Sequence, residues 1–173
     1  MADTPSSVRH GATGAPRFKL GMRCLAGSVT VVALQGVGGT LLGVTATAVC
    51  SLSAEPPSLI ACINRGSLLA SGLFEDARFS VSILSEGQED IAKAFGGQKG
   101  VAGRDRFVYG EWYRSEHDVP LLVGARASFE CRVAGFLDYG THRAAIGLVT
   151  DVHMSEDAER TLVFADGRFG TVG

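Results

Sequence analysis

Paired cysteines are missing from this sequence. Its four cysteines stand at positions 24, 50, 62 and 131, none in CxxC spacing, so neither a zinc ribbon nor a disulfide framework is indicated. Three of them sit inside apolar runs, where a free thiol behaves as a small hydrophobe. A reduced, cytoplasmic protein is the economical expectation. No run of about 18 apolar residues exists, so no membrane-spanning helix is expected. The net charge is −2 and no Lys/Arg stripe carries interleaved aromatics, so nucleic acid is not an expected partner. The histidines at 10, 117, 142 and 153 lack metal-ligand spacing. A Walker loop, a dinucleotide GxGxxG between strand and helix, and a Gly-x-Ser-x-Gly elbow are all absent.

Glycine, by contrast, is abundant, at 23 of 173 residues, where about 7% is ordinary. Such glycines mark turns, bulges and places where backbone comes close to something. The chain has the length of one domain. Residues 1–16 (MADTPSSVRHGATGAP) are polar, lack the apolar core of a secretory signal, and read as a disordered tail before a domain at 17–173.

The coarse pattern is mostly strand. Phe18, Met22 and Leu25 recur at helical spacing, predicting a helix over 17–26 that Gly27 stops. SVTVVAL (28–34) and GTLLGVTATAV (39–49) read as an antiparallel pair, followed by a Glu55-Pro56-Pro57 connection and the strand SLIACIN (58–64). Ser67 is the expected N-cap of a short helix. RFSVSIL (78–84) alternates, with Phe79, Val81 and Ile83 on one face and Ser80 and Ser82 on the other. Ser85-Glu86-Gly87-Gln88 has the form of a capping box before a helix that Gly96-Gly97 ends. A loop-rich stretch (98–120) then leads to strands at 125–138, 142–154 and 161–165. The fold class is therefore mainly β with a few helices, a mostly antiparallel sheet that closes on itself.

Residues 43–67 are the candidate site. GVTATAVCSLS carries small side chains, and the clusters Thr45/Thr47 and Ser51/Ser53 precede Asn64-Arg65-Gly66-Ser67. A planar ring can lie along the Thr45–Val49 backbone, while Arg65 offers a fork for phosphate. On the plainer alternative, the hydroxyls satisfy local backbone and Arg65 is a solvated charge. His142, at the turn after Tyr139-Gly140-Thr141, is either an exposed hairpin residue or a hydrogen-bonding group in a cleft. Arg168-Phe169 suits stacking on a ligand and equally a chain end held by packing.

Six segments in one order carry a resemblance: FKLGMRCLAGSVTVVAL, GVTATAVCSLSAEPPSLIACINRGS, FSVSILSEGQEDIAKAFGG, PLLVGARASFECRV, THRAAIGLVTDV and LVFADGRFG. Together they make the chain resemble the short flavin reductases of the FMN-binding split-barrel class, which include reductase components of two-component monooxygenases. The resemblance implies a homodimer of split barrels and a flavin, FMN rather than FAD where the site ends at one phosphate. Thr45, Ala46, Thr47, Ala48 and Val49 would line the ring. Ser51, Ser53, Cys62, Ile63, Asn64, Arg65 and Ser67 would surround the ribityl chain and phosphate, with Arg168 and Phe169 nearby. His142 matches a Gly-Asp-His motif on the nicotinamide side, but here Thr141 stands where the family usually has Asp. The implied activity is hydride transfer from NADH or NADPH to flavin, with reduced flavin passing to a partner monooxygenase. Two alternatives stay open: reduction of the corrinoid cob(II)yrinic acid a,c-diamide on the route to cobalamin, and a non-catalytic flavin-binding dimerisation module.

Overall fold

The β-branched and alternating runs do become strands. A computed structural model describes residues 14–157 and 160–173. In chain order the strands are β1 (Gly27–Ser28), β2 (Thr30–Gln35), β3 (Leu41–Ala46), β4 (Val49–Ala54), β5 (Pro57–Asn64) and β6 (Arg78–Ile83), followed by β7 (Trp112–Arg114), β8 (Pro120–Leu122), β9 (Ala127–Tyr139), β10 (His142–Met154), β11 (Thr161–Ala165) and β12 (Arg168–Val172). The helices are α1 (Ala15–Arg23), α2 (Leu68–Gly72) and α3 (Glu89–Phe95). The expected tail lies outside the described residues as far as position 13, and Ala15 and Pro16 open α1 instead, with the proline in its first turn.

Seven strands form one antiparallel sheet in the order β3-β2-β6-β9-β10-β5-β4. Its two outermost strands are consecutive in the chain, joined only by Thr47 and Ala48. A link that short reaches about 10 Å, so the two edges must come together and the sheet must curl. The curl is a barrel left open along β3 and β4. At the corner the Cys62 N–H donates to the Ala48 carbonyl at 2.9 Å. The run GVTATAV is thus not one strand, as its composition predicts, but the end of one edge, the corner, and the start of the other.

Packing explains the other departures. β6 lies between β2 and β9, and with β8 packed over it its polar face is covered as well as its apolar one. Phe79, Ser80, Val81 and Ser82 are all buried. Ser80 Oγ donates to the Pro120 carbonyl at 2.5 Å, and Ser82 and Ser128 share a hydrogen bond at 2.9 Å. Gly147 on β10 makes room for Phe79, whose ring would lie 2.6 Å from an added Cβ. Half of the capping box forms: Gln88 Oε1 accepts from the Ser85 N–H at 3.0 Å, but Ser85 Oγ donates to Gly124 O, and Gln88 takes the N-cap position of α3 without a side-chain cap bond. Of the four cysteines only Cys131 is buried, and burial pushes its thiol up to about 12. α1 buries none of its residues; Phe18 and Leu20 stay exposed. Among the described residues no helix is long and apolar enough to cross a membrane.

Candidate functional site

The barrel's open seam holds a cavity of about 230 Å³. One wall is the chain at the corner: Val44, Thr45, Ala46, Thr47 and Ala48. The other is the end of β5 with Cys62, Ile63 and Asn64, closed by Ser67 and by His142 at the start of β10. Register explains the meeting, because β10 pairs with β5 so that His142 stands opposite Asn64. Alanines and short hydroxyl side chains leave the backbone of the first wall accessible. The Gly43 carbonyl points away from β2, towards Arg106 at 3.1 Å. By the alternation of an antiparallel edge, the Thr45 main chain faces the same open side.

Most polar side chains at the site have a local assignment. Thr45 Oγ1 donates to the Ala92 carbonyl of α3 at 2.7 Å. Ser67 Oγ donates to Asn64 O at 2.7 Å and accepts from the Ala70 N–H, capping α2 as expected. Asn64 Oδ1 accepts from Gly66 N at 2.8 Å, which leaves its amide N–H groups as donors. The hydroxyl of Thr47 has no partner among the described residues. His142 Nδ1 lies 2.9 Å from Thr141 Oγ1. A hydroxyl can donate or accept, so the ring can offer either an acceptor or an N–H at Nε2.

The structure separates the remaining expected residues from this cavity. Val49, Ser51 and Ser53 line a different, largely apolar cavity of about 350 Å³, with Leu59, Phe129 and Val149. Ser53 Oγ also closes a local turn by donating to Glu55 O at 2.9 Å. Arg65 does not reach the cavity. Its backbone N–H donates to Thr141 O at 2.9 Å, and its guanidinium lies 3.8 Å from Asp138 and 3.5 Å from Gly140 O. Arg65 therefore fastens the β9–β10 turn to the end of β5. Asp138 also takes two hydrogen bonds from Arg143. Those bonds hold its carboxyl below the usual carboxylate range, and the charges of Arg143 and Arg65 add to the effect. Phe169 packs against Phe164 at 5.0 Å between ring centres, with Lys93 above it. Arg168 is exposed on β12, which pairs only with β11. Val44 is a lining residue that the sequence pattern did not single out, since an apolar strand residue carries no ligand signal of its own.

Residues 22–173 match the Flavin reductase like domain family. An "FMN reductase (NADH) RutF" of Pseudomonas syringae pv. syringae (strain B728a) is 32% identical over 161 residues, covering 93% of this chain and 89% of that protein. Two solved structures superpose closely. The NADH:FAD oxidoreductase SgcE6 of Streptomyces globisporus C-1027, in complex with NAD and FAD fragments, has a TM-score of 0.80 at 26% identity, covering 91% of this chain and 92% of its own. BorF, the flavin reductase component of a bacterial two-component tryptophan halogenase, has a TM-score of 0.82 at 26% identity, covering 92% and 98%.

Proposed function

Because the chain belongs to the Flavin reductase like domain family, we propose that it is an NADH-dependent FMN reductase that passes reduced flavin to a partner monooxygenase. The observation that carries this reading is the cavity at the barrel seam, walled by small residues and accessible main chain. Flavin fits such a donor set: its ring edge takes main-chain and amide hydrogen bonds, and alanine-sized neighbours leave its faces uncovered. The RutF relative is named for FMN and NADH, and BorF is the reductase component of a two-component system. These names support the donor, the acceptor and the onward delivery.

Flavin and nicotinamide carry the redox chemistry, a hydride passing from one to the other. The chain's residues bind and orient. Thr45–Ala48 and Cys62–Asn64 would grip the ring from two sides, with Asn64 and Thr47 as side-chain donors. His142, on the third side, would orient the nicotinamide through Nε2, its own ring steadied by Thr141. No residue needs to act as nucleophile or metal ligand. Val49, Ser51, Ser53, Arg65, Arg168 and Phe169 have no part in this grip.

The same reading includes pairing of two copies. The apolar side chains of α1 and the outer face of β4, including Leu52, are exposed among the described residues, which supports a second copy as their cover. Light scattering should then report twice the chain mass.

The test is anaerobic. The protein is mixed with NADH or NADPH and FMN or FAD, and the product is offered to oxygen or to a Co(II) corrinoid. Fast NADH oxidation with FMN, and reduced flavin released to solution, is the expected result. Flavin binding without NADH oxidation would sink the proposal. Reduction of the corrinoid with no release of flavin would move it to the corrinoid alternative.

A further inference from the structure

Beside the seam cavity lies a second cleft of about 200 Å³, lined by Leu42, Gly43, Gly66, Leu68, Ala102 and Arg106 among others. Val44 and Ser67 line both spaces, so the two adjoin. Arg106 is the cation of this cleft. It is half-buried, and its guanidinium is fixed by three main-chain carbonyls: Nε donates to Val101 O at 3.3 Å, and Nη1 to Gly43 O at 3.1 Å and Phe95 O at 3.0 Å. Nη2 has no acceptor among the described residues. None of the ion pairs among the described residues includes Arg106.

Carbonyl dipoles orient a guanidinium but leave its formal charge unbalanced. A partly desolvated cation of that kind is stabilised by an anion that enters with a ligand. The Nη2 amino group, the one left free, favours an oxyanion such as phosphate, with which it makes a charge-assisted hydrogen bond. In a flavin nucleotide the ring and the phosphate are separated by the ribityl chain, so they require two adjoining compartments, one for each. A nicotinamide dinucleotide likewise carries phosphate away from its reacting ring.

We infer that Arg106 binds a phosphate group of the nucleotide whose ring occupies the Thr45–Ala48 cavity, so that the second cleft is a phosphate compartment. The inference rests on the flavin reading of the first cavity. Arg106 thereby takes the place that the sequence pattern assigns to Arg65, which the fold commits to the β9–β10 turn.

Riboflavin, which lacks the phosphate, is the probe that separates this role from a structural one. Binding of FMN and of riboflavin would be titrated by flavin fluorescence in the wild type, in Arg106→Gln and in Ala102→Glu. The last variant sets a carboxylate in the cleft while leaving the three carbonyl bonds of Arg106 in place, and serves even where Arg106→Gln fails to fold. We expect wild type to prefer FMN over riboflavin. Each variant should weaken FMN about tenfold or more, as for loss of a charge-assisted pair, and leave riboflavin unchanged. If FMN is unaffected and the KM for NADH rises by that factor instead, the compartment holds the dinucleotide's phosphate and the assignment to the flavin is overturned. Equal losses for FMN and riboflavin, or no loss for any ligand, would overturn the assignment. A wild type that binds neither flavin overturns the flavin reading together with this one. A wild type that binds both equally and whose NADH kinetics survive both substitutions overturns the phosphate compartment alone.

Discussion

Asp138 and Arg143 face each other near the end of the β9–β10 hairpin in a two-pronged ion pair, Nε to Oδ1 at 2.7 Å and Nη2 to Oδ2 at 2.9 Å. The same arginine donates from Nη1 to Leu73 O at 2.8 Å, just past the end of α2. On the other side Asp138 faces Arg65, at the end of β5. His142 and the Ser67 cap of α2 thus sit on elements braced against one another by a carboxylate that does not line the cavity. Arg143 also lies over the Phe136 ring, 4.1 Å from its centre, so the brace is packed as well as charged.

A carboxyl held below its ordinary value stabilises the fold fully above its unfolded pKa, about 3.9, and loses that contribution as pH falls through the lowered folded value. Asp138→Asn should therefore lower the melting temperature by a constant amount from neutral pH down to about pH 5. The gap from wild type should close as the pH drops below about 4. Thermal scans across that range check the sign, and a gap that widens in acid would refute the brace.

Ala48 is exposed on the cavity wall at the corner between β3 and β4. Ala48→Phe places a ring where the proposed ligand lies, without burying it in the core. Flavin affinity should fall about tenfold or more, equivalent to about 1.4 kcal/mol, with the melting temperature almost unchanged. Flavin fluorescence titration and a thermal scan on the same sample measure both.

Removing the Thr141 hydroxyl frees the His142 ring at Nδ1. A neutral hydrogen bond contributes about 0.5–1.5 kcal/mol, so Thr141→Val should slow flavin reduction by NADH about two- to tenfold. Thr141→Ser should restore the rate. His142→Ala should slow the same step further while flavin affinity stays nearly intact. Rapid mixing under anaerobic conditions reads each rate, and an unchanged rate in His142→Ala would take the imidazole out of the reaction.

Gly147 sits where a Cβ would approach Phe79 Cζ to 2.6 Å and Cys131 Cβ to 3.0 Å. Both neighbours are buried, so neither can swing away freely. Gly147→Ala should cost about 1–3 kcal/mol of stability, the usual range for overpacking a tight core. Urea titration followed by tryptophan fluorescence would measure it, Trp112 being the chain's one tryptophan.

The strands were legible because their periodicity is local: the pattern placed β10 and β11 at their observed boundaries, and Gly96-Gly97 stopped α3 where it predicted. It also marked the small-residue run that forms one wall of the seam. Polar positions were harder to read. Ser80 and Ser82 alternate like solvent-facing residues, yet they are buried, because β8 packs on that face with the Pro120 carbonyl at Ser80 and Ser128 pairs with Ser82 across the sheet. Arg65 stands in a sequence that suits phosphate, but pairing across 75 residues brings Gly140 and Asp138 to it instead. Arg106 lies in a stretch that reads as loop, and its carbonyl partners come from β3, α3 and the loop itself.

Composition and spacing by themselves determined the mainly β, antiparallel class, the Ser67 cap of α2, and a run of small residues around 43–53. These depend on dihedral preference and on side-chain alternation, which are properties of neighbouring residues. Tertiary structure alone decided which hydroxyls and cations face the cavity. That choice turns on which distant strand supplies a partner first, and a buried or half-buried polar group takes the nearest one. In GVTATAVCSLS the division falls within eleven residues: Val44 to Ala48 line the seam cavity, while Val49 to Ser53 belong to the opposite edge of the sheet.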